Sequence, residues 1–294
     1  MKEVNSDRLI SLNQYDKIYT LGPRGTFSDQ AAELVGGTRI KEIRYTTTLP
    51  QIALEVEKDE KALGVIPVEN SSSGVVEPAQ DSLVESNVVI IYELMVEVSY
   101  SLVSHVPLDE ITAYYCHSVA FNQTMMFAAK TIPGAEVIFS KSNIDSGKQF
   151  LINSDNRVAA IIPEQVARDN EEYRSKIMAE KIQDYKKNIT RFFVVKKRPD
   201  DLKYDFTKNK TSIFVELHDD RHSLLFDLLR EFHVFGINLC RLESRPSKLM
   251  HWRYTFYMDF YNNHRVEMCL AELKKQDIDF RYLGSYDHIV PFQK

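Results

Sequence analysis

The chain has 294 residues, more than one compact core usually holds, so two domains are expected. Hydrophobic residues make up 44% and charged residues 27%, which excludes a disordered chain. Lys plus Arg number 37 against 42 Asp plus Glu, a net charge of -5, which gives no electrostatic ground for binding nucleic acid or an anionic membrane.

Residues 1–16 are polar, carry no apolar run of the signal-peptide kind, and read as a tail. A short strand at 18–21 ends in Gly22-Pro23, and Ser28 is placed to cap a helix through Ala31, Ala32, Leu34 and Val35. A second strand covers 63–68. Pro78 then sits in the first turn of a helix through Ala79, Leu83 and Val84, where its missing N–H costs nothing. The β-rich run VVIIYELMVEVSYSLVS, 88–104, is long enough to bend or to cross between two lobes. Further on, 117–130 reads as helix, 135–140 as strand, 143–151 as helix, 157–163 as strand, 164–173 as helix and 188–195 as strand. This alternation predicts an α/β architecture with largely parallel sheets.

The composition then shifts. KKRPDDLKYDFTKNK is charged and poor in apolar residues, and 197–210 is read as a linker. Beyond it the pattern restarts: strand TSIFVEL, a helical stripe of Leu224, Leu225, Leu228, Leu229 and Phe232, strands INLCRLESR and RYTFYMDFY, a helix through Val266, Leu270 and Leu273, and strand IDFRYLGSY. The order is βαββαβ, the ferredoxin-like arrangement.

Three stretches combine polar residues with a strand end. In LGPRGTFSDQAA, 21–32, Gly22 and Gly25 allow close backbone approach to a ligand. Thr26 and Ser28 put hydroxyls at a helix start that favours anions; the stretch equally fits a capped turn. Its spacing matches neither a dinucleotide fingerprint nor a phosphate-binding P-loop. In PVENSSSGVVEP, Glu69, Asn70, Ser71, Ser72 and Ser73 follow an apolar strand; capping explains one of them, not all. Glu77 reads as a first-turn charge. In NITRFFVV, Thr190 and Arg191 open an apolar strand and, alone, fit a surface pair.

Other features exclude chemistry. Cys116, Cys240 and Cys269 are odd in number and widely spaced, which fits a reducing compartment and supports neither a disulfide framework nor zinc. His218 and His222 straddle a strand and a helix and share no helical face. No segment approaches the ~20 apolar residues of a spanning helix, so a cytoplasmic protein without membrane association is expected.

Taken together, LGPRGTFSDQAA, PVENSSSGVVEPAQDSL and NITRFFVV, followed by a βαββαβ segment containing ESRP, resemble the prephenate dehydratase family, whose motifs look like GPxGTFSxxAA, PxENSxxGxV and TRF in that order. The resemblance implies a catalytic domain at 17–196, built as two α/β lobes like periplasmic binding proteins, with the second lobe at about 104–187. It also implies a regulatory ACT domain at 211–294. The substrate, prephenate, carries two carboxylates, a keto group and a ring hydroxyl, and needs many hydrogen-bond donors but no metal or other cofactor. By resemblance Thr190 donates to the departing hydroxyl. Thr26, Ser28, Asn70, Ser71, Gln123, Arg191 and Phe192 are the implied substrate contacts, and Glu243, Ser244, Arg245 and Pro246 the implied L-phenylalanine motif, with His222, Ser223 and Leu224 opposite. A homodimer or homotetramer is expected through ACT edges.

The chain departs from the family pattern in three places. Cys116 replaces a serine before His117. Asn143 and Ile144 stand where Thr and Ala are usual, either a tolerated loop change or a sign of altered preference, for example arogenate over prephenate. Arg221-His222 replaces Pro-Gly at the effector turn. The rival readings are arogenate dehydratase, a prephenate decarboxylase, which intact Thr190 argues against, and a non-catalytic amino-acid sensor.

Overall fold

The structure is a computed structural model, and it describes residues 12, 14–37, 40, 42–217, 223–247 and 254–289. His222, with Arg221 and His218, lies outside the described residues, as does most of the tail.

The chain enters as β1 (Lys17–Leu21), α1 (Phe27–Gly36), β2 (Glu42–Thr46), α2 (Leu49–Glu57), β3 (Ala62–Asn70), the two-residue β4 (Gly74–Val75), α3 (Glu77–Glu85) and β5 (Val88–Glu97). It crosses at Val98 and Ser99 into β6 (Tyr100–Val103), β7 (Ala113–His117), α4 (Ser118–Thr131), β8 (Glu136–Ser140), α5 (Asn143–Ile152), β9 (Val158–Pro163), α6 (Glu164–Asp169), α7 (Glu171–Arg174) and β10 (Ile177–Glu180). It returns through β11 (Ile189–Lys197). The last segment is β12 (Lys210–Glu216), α8 (Leu224–Val234), β13 (Leu239–Pro246), β14 (Tyr254–Tyr261), α9 (Val266–Lys275) and β15 (Phe280–His288). The run at 88–104 is thus two strands, one in each of two sheets. The helix expected at 164–173 is two, because Asn170 ends the first and caps the second by accepting from the Glu172 N–H.

One sheet holds β6–β10 in the order β10-β6-β9-β7-β8; the other is ten-stranded, β13-β14-β12-β15-β5-β11-β3-β1-β2 with β4 on β3. The sheets are mixed rather than largely parallel. β1 pairs in parallel with β2 and β3, but the returning strand β11 runs antiparallel to both β3 and β5. The C-terminal strands follow the order last, first, third, second, and all three of their pairings are antiparallel.

β3 and β5 lie inside the large sheet and are apolar on both faces, as central strands must be. One face packs Ile18, Ala31, Val35, Leu94 and Val194 under α1. The other packs Ile52, Val56, Leu83 and Val195 with Tyr257, Leu283 and Tyr286 from the C-terminal strands. The C-terminal segment therefore shares a core with the first sheet, besides having its own around Leu228, Phe232, Met258 and Leu273.

Gly284 permits that docking. It sits at a register shift in β15 with φ +147, and a Cβ there would collide with the Ile90 carbonyl and lie 2.8 Å from the Ile90 nitrogen. Gly284→Ala should destabilise the protein by about 2 kcal/mol or more, measured by urea unfolding; an unchanged midpoint would mean that β15 does not approach β5 this closely.

Candidate active site

A cavity of about 730 Å³ opens between the two sheets. Its wall includes Thr26 and Ser28 from α1, Asn70 and Pro67 from β3, Thr190 and Phe192 from β11, and His117, Gln123, Ser142 and Asn143 from the five-stranded side. Four helices start on this wall: the residues preceding α1, α3, α4 and α5 are Thr26, Val76, His117 and Ser142, and all four line it. Thr26 and Ser142 cap their own helices; the N-termini of α3 and α4 have no side-chain cap. Each N-terminus carries about half a positive charge and unsatisfied N–H groups, which favour an anion; among the described residues the charged side chains on the wall are Lys141 and Glu77, which balance. A second cavity of about 710 Å³ lies beside α6, but it is walled by Asp29, Glu33, Asp169, Glu171 and Glu172 against one Arg24, the wrong field for a dianion.

Local geometry brings Asn70 and Thr190 together. They are paired residues on adjacent antiparallel strands. Pro67, which cannot donate to a ladder, coincides with a register shift in which Arg191 faces Glu69 and Phe192 faces Pro67. The bulge leaves Asn70 and Pro67 on the cavity side although they are three residues apart. Asn70 Oδ1 accepts from the backbone N–H groups of Ser72 and Ser73, both at 2.9 Å, and from both hydroxyls. Its Nδ2 donates to Thr190 Oγ1 at 3.0 Å and to Asn188 Oδ1 at 2.8 Å. Asn188 is fully buried and donates in turn to Gln123 Oε1 at 2.7 Å. With the Asn70 amide filling a lone pair on Thr190 Oγ1, the hydroxyl proton has no other partner among the described residues and is free to point into the cavity.

Of the expected substrate contacts, Thr26, Ser28, Asn70, Gln123 and Phe192 line the cavity with Thr190. Two do not. Ser71 is spent closing the turn: its hydroxyl donates to the Lys187 carbonyl at 3.0 Å and accepts from the Ile189 N–H at 2.9 Å. Arg191 faces away, as strand alternation requires once Thr190 faces the cavity. It binds Glu93 at 2.8 Å, Asp259 at 2.6 Å and the Tyr286 hydroxyl at 2.9 Å. Burial pulls its pKa down, but Tyr286, Asp259 and Glu93 outweigh that and hold it above the ordinary arginine value.

Thr26, not Ser28, caps α1 by accepting from the Asp29 N–H. Gly25, at φ +91, makes its close approach to protein rather than to a ligand: a Cβ there would sit 2.9 Å from Ile144 Cδ1. Ile144, one of the departures from the family pattern, therefore packs α5 against the first turn across the gap. Cys116 lies outside the wall, and burial pushes its pKa up to about 12, so it stays an inert thiol. His117 is on the wall; burial lowers its pKa and keeps it neutral at pH 7.

Of the effector motif, Ser244 and Pro246 are exposed, Glu243 is half-buried, and Arg245 is committed to α3, pairing with Glu77 at 3.0 Å and Asp81 at 2.7 Å. Glu77 is also part of the cavity wall. Ser223 precedes α8 in the left-handed region, and Leu224 is the buried first residue of that helix. Asn188, Ser73 and the two uncapped helix starts were not among the expected residues. Asn188 stands two residues before Thr190 and so on the same side of the chain, a signal available from alternation alone.

These features define an anion-receiving cleft between two α/β sheets, lined by hydroxyl and amide donors. The prephenate dehydratase family model matches residues 18–200, and the chain belongs to that family. It is 35% identical over 284 residues to the bifunctional chorismate mutase/prephenate dehydratase of Aquifex aeolicus, covering 94% of this chain and 75% of that protein. It is 34% identical over 275 residues to the prephenate dehydratase of Methanocaldococcus jannaschii, covering 92% and 97%. The crystal structure of the Arthrobacter aurescens prephenate dehydratase in complex with L-Phe superposes with a TM-score of 0.79 at 29% identity, covering 92% of this chain and 90% of that one.

Proposed function

We propose that this chain converts prephenate to phenylpyruvate in L-phenylalanine biosynthesis. The carrying observation is the pairing of Thr190 with Asn70 on a wall where four helices begin. Prephenate is a dianion, and those helix starts, with Ser28 and the Gln123 amide, offer donors to its carboxylates and keto group. The ring carboxylate leaves as CO₂, its bonding electrons enter the ring, and the C4–O bond breaks. The departing hydroxide takes up one proton from solvent, to which the cavity opens, and becomes water. Thr190 Oγ1 donates to that oxygen as charge develops on it. A threonine hydroxyl is a weak acid, so its contribution comes from position and from the apolar side of the wall that Phe192, Pro67 and Val98 form.

On this reading residues 17–196 form the catalytic domain and 211–294 an ACT domain that binds L-phenylalanine. The element order and strand order of the last segment support the second assignment, and the Arg245–Glu77 pair offers a direct contact from the ESRP strand to the wall of the cleft. The test is to incubate the purified chain with prephenate, with and without L-phenylalanine, and identify the product by mass spectrometry. Phenylpyruvate formed without the amino acid and suppressed with it is expected. No turnover of prephenate, with turnover of arogenate instead, would overturn the substrate; turnover of neither would leave a binding protein.

A further inference from the structure

The side-chain amides of Asn70, Asn188 and Gln123 form a chain whose polarity is set at one end. Backbone N–H groups can only donate, so those of Ser72 and Ser73, each 2.9 Å from Asn70 Oδ1, fix that atom as the acceptor. Asn70 Nδ2 is then the donor toward Thr190, toward the Ile189 carbonyl at 3.3 Å and toward Asn188. The Asn188 atom facing it at 2.8 Å must accept, which turns Asn188 Nδ2 toward Gln123. The Gln123 atom meeting it at 2.7 Å must accept too, which leaves Gln123 Nε2 directed at the Ser73 hydroxyl, 3.4 Å away, and at the cavity.

We infer that Asn188 is a positioning residue which passes this polarity across the gap, from β3 on the first sheet to α4 on the second, and so fixes Gln123 as a hydrogen-bond donor to an anionic or keto oxygen of the substrate. The inference rests on the dehydratase reading for the identity of that substrate. Asn188 itself is fully buried and is not on the cavity wall. It acts through Gln123 on one side and, through Asn70, on Thr190 on the other. An amide is required: one face must accept and the other donate, at the same time, in a space closed to water.

Asn188→Asp keeps the shape and the acceptor toward Asn70 but presents a second acceptor to Gln123. The Gln123 amide must then turn over, offering Nε2 to the introduced carboxylate and Oε1 to the substrate. The expected result is a KM for prephenate raised about tenfold, the worth of one hydrogen bond to a charged group, with kcat within about threefold. In a Gln123→Ala background the same substitution should change KM by less than about twofold, since its route is already gone. An unchanged KM in the single variant would overturn the inference. So would a KM rise that persists in full without Gln123, because that is charge repulsion or general damage. If the unaltered protein does not turn over prephenate, the functional reading fails, and the relay is read from side-chain amide exchange instead. That measurement also needs no variant to fold: exchange at Gln123 Nε2 faster than at Asn188 Nδ2 supports the polarity, and exchange as slow at Gln123 as at Asn188 overturns it, since the reversed chain buries the Gln123 amide against Asn188.

Discussion

Thr190→Ala should lower kcat for prephenate by a factor of about 10² to 10³, with KM little changed. The magnitude is that of removing one positioned donor to a developing oxyanion, about 3 kcal/mol in the barrier. The split between kcat and KM follows from when the contact is made: the leaving oxygen gains charge only as its bond to the ring breaks, so the interaction belongs to the transition state. The fold should tolerate the change. Asn70 Nδ2 loses one acceptor but keeps Asn188 Oδ1 and the Ile189 carbonyl. Thr190→Ser, which retains the hydroxyl on the same backbone, should recover much of the rate. Steady-state kinetics on the two variants decide the matter; full activity in the alanine variant would remove Thr190 from the reaction.

The second large effect is on stability. Arg191→Met should cost about 3–5 kcal/mol, the usual penalty for removing one partner from a buried ionic cluster. Its guanidinium sits between Glu93 of β5 and Asp259 of β14, both almost inaccessible, and stacks over the Phe193 ring at 4.7 Å. Lys210 still meets Glu93 at 2.6 Å and Ser212 still meets Asp259 at 2.6 Å, so neither carboxylate is wholly abandoned. That places the expected loss nearer the lower figure. Adding Asp259→Asn should recover part of it, because without Arg191 the Asp259 carboxylate keeps only Ser212 at 2.6 Å and Arg241 at 3.9 Å to balance its buried charge. Urea unfolding measures both variants, and a loss below about 1 kcal/mol in the single variant would show that the cluster is solvated rather than dry.

Much of this was legible from the residues. The strand–helix alternation, the crossing run at 88–104 and the βαββαβ restart follow from apolar periodicity, which is strong in buried elements. β2 did not stand out, because EIRYT is an edge strand with one buried residue. Nor did β10, which is half exposed along its length. The mixed strand directions were hidden because a strand's period is the same whichever way its neighbour runs.

In the site, residue types marked the right stretches but not the right members. Ser71, Ser72 and Ser73 are chemically identical, and only the turn decides that Ser73 faces the cavity while Ser71 holds Lys187 and Ile189. Arg191 is a substrate contact only by resemblance to the TRF motif, yet its neighbour on the strand already requires the opposite face. For Asn188 alternation gave the side of the chain but not the role, which exists only where β3, β11 and α4 meet.

The pairing of β15 with β5 has a mechanical consequence. Asp287 and His288 continue the large sheet alongside Tyr92 and Glu93, and the Arg191 cluster bolts the same seam. The C-terminal segment is therefore no pendulum on a string, and tilting it alone means breaking backbone pairing and a dry ion cluster together. The five-stranded unit is joined to the platform differently, by two chain crossings and by side-chain contacts across the gap such as Ile144 on Gly25 and Phe27 on Tyr100. The gap between the two units is itself spanned by the Asn188–Gln123 bond at 2.7 Å, so a change in its width would be taken up first at that bond.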